Sequence, residues 1–177
     1  MTLYKNRYRV ESTRLSHWDY SSPAWYFVTI CCTRDRESSL GEITGETVRL
    51  SAAGQIVSKE WDRIPSIWPN VTTAEFVVMP NHIHGIIVLG ETSVETRLRG
   101  VSTRDDVRRP TLGTVIRQFK SRSTTRIWAA SHHEFGWQSR YHDHIIRGER
   151  ALAACREYIA NNPAKWAMDN DNPANWR

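Results

Sequence analysis

The chain reads as an α+β domain built on an antiparallel sheet, and three observations point there. The run Trp25-Tyr26-Phe27-Val28-Thr29-Ile30-Cys31-Cys32-Thr33 is aromatic and β-branched throughout, as a central strand requires. Two further β-prone runs, 73–79 and 82–89, flank the turn signal Pro80-Asn81 and read as a hairpin. Segments with helical spacing of apolar residues alternate with these strands. The order is strand, short strand, helix, hairpin, helix, strand, helix. That is a βαββαβ pattern with additions, the ferredoxin-like or RRM-like layout in which helices pack on one face of an antiparallel sheet and the other face stays open for a ligand.

Each element has its own signal. Residues 1–22 are basic, aromatic and weakly patterned, and read as an arm. After the strand at 25–33, Glu46-Thr47-Val48-Arg49-Leu50 alternates as a short second strand. Ser51 suits the N-cap of a helix over about 52–64, with Ala52, Ile56, Val57 and Trp61 on its apolar side and Pro65 as its stop. The hairpin follows. Residues 90–110 are polar and Arg-rich, a loop long enough to imply a function or no fixed structure. A second helix over about 112–128 turns Leu112, Val115, Ile116, Phe119 and Ile127 inward, and Arg117, Lys120, Arg122 and Arg126 outward. A last strand is expected over 137–146, then a helix over about 149–161 with Leu152, Cys155 and Ile159 on its core side. The domain is expected to span 23–166, with 167–177 as a tail that either covers the site or hangs loose.

Composition narrows the class. A length of 177 residues fits one domain with an arm, large enough to bury a core without disulfides. No apolar run could span a bilayer, and the N-terminus lacks a signal-peptide core, so a cytoplasmic protein without a membrane partner is expected. Cys31, Cys32 and Cys155 form neither a disulfide framework nor a zinc pattern and read as packing residues. The net charge of +5 and the clustering of arginine at 7–14, 97–109 and 117–126, among eight tryptophans, suit single-stranded nucleic acid. The tryptophans also serve as core.

The chemistry centres on Met79-Pro80-Asn81-His82-Ile83-His84-Gly85. In a strand, His82 and His84 share one face and Ile83 takes the other, so the two imidazoles can grip one metal ion. Alone, such a pair is more often structural or incidental than a ligand pair. In the last helix Tyr158 lies off the apolar stripe, and Asn162, four residues on, shares its face if the helix persists that far, though Pro163 biases Asn162 away from helical geometry. Both could approach a metal held by the histidines; taken alone, a tyrosine there more often packs half-buried at a helix edge.

Taken together, 25–31, 78–85, Trp137-Gln138 with 141–147, and 156–163 resemble the single-tyrosine HUH transposases, and within them the REP-associated tyrosine transposases of bacteria. The resemblance implies the HUH-endonuclease type of fold, cutting and rejoining of single-stranded DNA beside small hairpins of REP type, and nucleoid association. It implies His82 and His84 as metal ligands, Tyr158 as nucleophile and Asn162 as third polar ligand. His142-Asp143-His144 matches a different family motif and takes no metal role. A mixed nitrogen and oxygen site with vacancies suits Mg²⁺ or Mn²⁺, although imidazoles would also take Zn²⁺ or Co²⁺. The expected reaction is a transesterification through a 5′-phosphotyrosine link, which conserves the bond energy and needs no nucleotide cofactor.

Two DNA-contacting regions are expected outside the motifs: the arm, with Arg7, Tyr8, Arg9, Arg14 and Trp18, and the basic helix face, with Arg117, Lys120 and Arg122. Competing readings are a repeat-binding protein without catalysis, a relaxase or rolling-circle initiator, and a zinc hydrolase using a third histidine. The protein is expected as a monomer or homodimer.

Overall fold

In the computed structural model the described residues are 15, 17–33, 40–91 and 109–175. Six strands and four helices form there: β1 (Ala24–Cys31), β2 (Gly41–Thr44), β3 (Thr47–Leu50), α1 (Ala52–Asp62), α2 (Ile64–Ile67), β4 (Val71–Val78), β5 (His82–Leu89), α3 (Leu112–Ala129), β6 (His142–Ile146) and α4 (Glu149–Asn161), followed by two 3-10 turns at Pro163–Met168 and Pro173–Asn175. The main sheet has the order β4-β5-β1-β6, every neighbour antiparallel. The α+β class and the antiparallel sheet are as the sequence predicts.

Local chemistry accounts for the helix ends. Ser51 caps α1, its Oγ accepting from Gly54 N at 3.1 Å, and Thr111 caps α3 in the same way through Thr114 N. Pro65 does not end the chain's helical path. The break comes at Arg63, and Pro65 occupies the first turn of α2, where its missing N–H costs nothing. The short second strand is a complete hairpin, since Gly41–Thr44 pairs with Thr47–Leu50 across a turn in which Gly45 takes φ 64°. The last strand is shorter than the expected 137–146. Trp137 forms a lone bridge to Cys32, with Gln138 N donating to Cys31 O at 2.9 Å, and the carbonyls of Gln138 and Arg140 accept from Lys120 Nζ.

The two faces of the sheet are both covered, but unequally. On one, α1 and α3 bury Tyr26, Val28, Ile30, Ile83 and Ile87. Trp61 stacks on Phe76 at 4.4 Å and meets Phe119 edge-on at 5.7 Å. A Cβ at Gly85 would lie 2.6 Å from Trp61 Cη2 and 3.1 Å from Phe76 Cδ2, so glycine after the second histidine is what lets the indole lie on the strand. The other face, expected open, carries α4. Leu152 and Ile159 pack there on Ile86 and Ile146, with Phe27 and Val88 beside them. That apolar patch ends short of the β5 N-terminus, and the part left over is polar.

Candidate metal and tyrosine site

The polar part of this face begins with the turn that opens β5. Met79 N donates to His82 O at 2.8 Å, closing the turn, while Leu40 N and Cys32 N donate to the carbonyls of Pro80 and Asn81. Strand alternation then sends His82 and His84 to the α4 side, as the sequence predicts, and both are almost wholly buried, at 0% and 3% exposure.

Each imidazole is oriented through its Nδ1. His82 Nδ1 lies 2.8 Å from Asn81 Oδ1, and Asn81 Nδ2 donates to Asp171 O at 2.6 Å. The amide is thereby fixed with its oxygen toward the ring, so His82 Nδ1 carries the proton and Nε2 keeps its lone pair. His84 Nδ1 lies 2.8 Å from Oγ1 of Thr29, its direct partner across the β1–β5 ladder. The two Nε2 atoms face each other at 2.9 Å. Either one ring donates to the other or both lone pairs converge on a cation. Ligands held about 2.1 Å from an ion at right angles lie about 3 Å apart, so the spacing matches a coordination edge.

A third donor comes from beyond the last helix. The ligand atoms of His82, His84 and Asp169 lie within 4.8 Å of one another, a set that can hold a metal ion. Asp169 is placed by a chain of asparagine and aspartate contacts. Asp171 N donates to its Oδ1 at 2.7 Å, Asn175 Nδ2 donates to its carbonyl at 2.7 Å, and Asn172 Nδ2 donates to Trp166 O at 2.9 Å. The Trp166 ring lies 5.9 Å from that of His82. The segment expected as a tail therefore forms a wall of the site.

Burial sets the charge of this donor set. It pushes the His82 imidazole down to about 4 from an ordinary 6.5, and it pushes His84 down to about 3, with the neighbouring His82 adding to the effect. Both rings are neutral at pH 7, the form that binds metal. The donor chemistry and the facing Nε2 atoms fit a divalent ion.

Tyr158 and Asn162 reach the same place. Asn162 keeps helical angles (φ −61°, ψ −43°) despite Pro163, because the chain runs straight into the 3-10 turn, and the four-residue spacing survives. Its Oδ1 is buried with no hydrogen-bond partner, a position that calls for a donor or a cation. Tyr158 is 47% exposed, with its ring 5.1 Å from His84 and 5.8 Å from Phe27, both edge-on. Partial burial raises its pKa, Asp169 and Asp171 raise it further, and a hydrogen bond from Asn162 opposes them. Tyr158, Asn162, His84 and Thr29 line one cavity of about 380 Å³, together with His142, Lys165 and Asp169.

His144 stands on the same edge strand outside the donor set, and the third donor is a carboxylate rather than the third histidine a zinc hydrolase would use. Sequence reading missed Asp169, Thr29 and Asn81. The first lies in Asp-Asn-Asp-Asn-Pro, which looks like loop; Thr29 could be found only by pairing strands, and Asn81 reads as a turn residue.

The expected DNA contacts fare differently. Arg7, Tyr8, Arg9 and Arg14 lie outside the described residues. Trp18 donates its indole N–H to Tyr26 OH at 3.0 Å and packs against the core, with the Arg147 guanidinium 6.0 Å above its ring. The basic stripe on α3 divides. Arg117 is exposed, Lys120 holds the 138–140 carbonyls, and Arg122 pairs with the buried Glu60 at 2.9 Å, where Arg126 joins it at 2.7 Å.

The solved structure of a REP-associated tyrosine transposase bound to a REP hairpin matches with a TM-score of 0.56 at 20% identity, covering 99% of this chain and 80% of that one. The expected resemblance holds at the level of the fold. An uncharacterised protein of Haemophilus influenzae is 38% identical over 165 residues, 89% of this chain and 90% of that protein, and the chain belongs to its family. No family model matches. Among the described residues no helix is long and apolar enough to cross a membrane.

Proposed function

We propose that the protein is a REP-associated type of tyrosine transposase, a strand transferase acting on single-stranded DNA beside REP-like hairpins, with Tyr158 as nucleophile. The observation that carries this reading is the convergence of Tyr158 on the His82–His84 pair, two rings whose Nε2 atoms meet at 2.9 Å. The fold, shared with a transposase bound to a REP hairpin, supports it.

His82, His84 and Asp169 would hold the ion, with Asn162 Oδ1 as a further oxygen donor from α4. A bound divalent ion supplies charge neutralisation and polarisation at a phosphate oxygen. Mg²⁺ and Mn²⁺ are the ions we assign. Two imidazoles make Mn²⁺ the better fit, since Mg²⁺ prefers an all-oxygen shell.

The chain's own groups arrange the rest. Tyr158 Oη forms a bond to phosphorus as the bond from phosphorus to the 3′ oxygen breaks. The phenol proton passes to solvent, and the departing 3′ oxygen takes one up, so no net proton is consumed. The product is a 5′-phosphotyrosine link and a free 3′-OH. Attack by a second 3′-OH reverses the step and rejoins a strand. Asn162 orients the phenol by its hydrogen bond, and Phe27 and His84 fix the ring plane.

A labelled single-stranded oligonucleotide carrying a REP-type hairpin, incubated with Mn²⁺, tests this. Cleavage to a free 3′-OH end that requires metal and is absent from Tyr158→Phe is expected. Tight binding with no cleavage by the wild type would leave a repeat-binding protein instead.

A further inference from the structure

The cavity beside Tyr158 holds a charged side chain, that of Lys165, that neither the metal donor set nor the nucleophile uses. Lys165 lies in the 3-10 turn Pro163–Met168 that prolongs α4, and it lines the cavity together with Tyr158 and Asn162. Positions 158, 162 and 165 are spaced by four and three, so the turn keeps all three on one helical side. Lys165 is exposed and, among the described residues, its ammonium makes no ion pair.

The cavity's other lining lysine, arginine or carboxylate groups among the described residues are Asp169 and Asp171, and burial keeps the His84 imidazole neutral. An anionic phosphodiester entering this space meets two carboxylates. If Asp169 ligates the ion, it cancels one of the ion's two charges. Further negative charge gathers on the phosphate as Tyr158 attacks. A lysine ammonium, a compact charge on a flexible stem, can offset it, and among the described lining residues Lys165 is the one lysine or arginine.

We infer that Lys165 binds a non-bridging oxygen of the phosphate that Tyr158 attacks, in the cavity it shares with His84 and Asp169. This rests on the strand-transferase reading for the identity of the phosphate. The contact itself can be tested without cleavage.

The test is a methylphosphonate scan, in which each phosphate of a hairpin-bearing single strand is made neutral in turn. Binding is measured in Tyr158→Phe, which cannot cut, and in the same protein with Lys165→Met or Lys165→Arg. One position is expected where neutralisation weakens binding of Tyr158→Phe about tenfold and has no effect once Lys165→Met is present. Lys165→Arg should restore most of the sensitivity, and Lys165→Met should lower the salt slope of binding by about 0.7, the value for one single-strand phosphate contact. Identical scans with lysine and methionine, or a loss that arginine does not rescue, would overturn the inference. A separate outcome concerns the transferase reading. If the sensitive phosphate is found but wild type joins no DNA to Tyr158, the lysine contact stands and the chemistry falls.

Discussion

On one face of the sheet Trp61 lies flat against Phe76 and Gly85, and every inward side chain of β5 is apolar. On the other face the alternate residues of the same strand begin with two imidazoles and turn apolar only at Ile86. The first face satisfies its groups by packing alone. The second keeps an amide oxygen without a partner and two ring nitrogens in close opposition, arrangements that fold only because the first face supplies the stability. A period of two in a single strand thus separates what holds the protein together from what it can do.

That separation can be broken from either side. The largest effects fall in pairs. Tyr158→Phe should abolish strand cleavage and change the unfolding free energy measured in urea by no more than about 0.5 kcal/mol, since the residue is half-exposed. Ile87→Ala, buried on the packing face, should cost about 2–5 kcal/mol in urea unfolding and leave the Mn²⁺ affinity of the folded protein unchanged. Gly85→Ala sharpens the contrast. The added methyl group meets the indole, and a loss of about 1–3 kcal/mol is expected, with the histidines on the far side still able to bind metal.

Asp169→Asn removes the carboxylate of the donor set. Calorimetric titration with Mn²⁺ should show affinity falling about tenfold or more, with the melting temperature of the metal-free protein little changed. Equal affinity would move the third donor to Asn162.

The smallest effect is on stability against pH. Both site imidazoles titrate below the unfolded value of 6.5, so between about 6.5 and 4 the unfolded chain binds protons that the folded chain refuses. Stability of the metal-free protein is therefore full above 6.5 and declines as pH falls toward 4 and below. The double variant His82→Gln/His84→Gln should flatten that decline, and an unaltered profile would show that other groups govern it.

Much of the site was legible because its parts obey short-range periodicities. His82 and His84 are two apart in a strand, and Tyr158 and Asn162 four apart in a helix, so each pair declares its common face. What sequence could not supply was the pairing between distant segments. Thr29 orients His84 only because β1 lies beside β5 in that register. Asp169 reaches the histidines only because asparagine contacts fold the chain back after Pro163. The basic stripe on α3 shows the same limit. Helical spacing placed Lys120 and Arg122 outward, but their partners, the 138–140 carbonyls and Glu60, come from segments that periodicity does not connect.

Peptide mapping of the protein after incubation with hairpin DNA and Mn²⁺ tests the central claim most directly. One peptide bearing a nucleotide through its 5′ phosphate is expected, linked at Tyr158, formed with Mn²⁺ and absent in chelator. A nucleotide on any other side chain, or a link at Tyr158 that forms equally well in chelator, would contradict it.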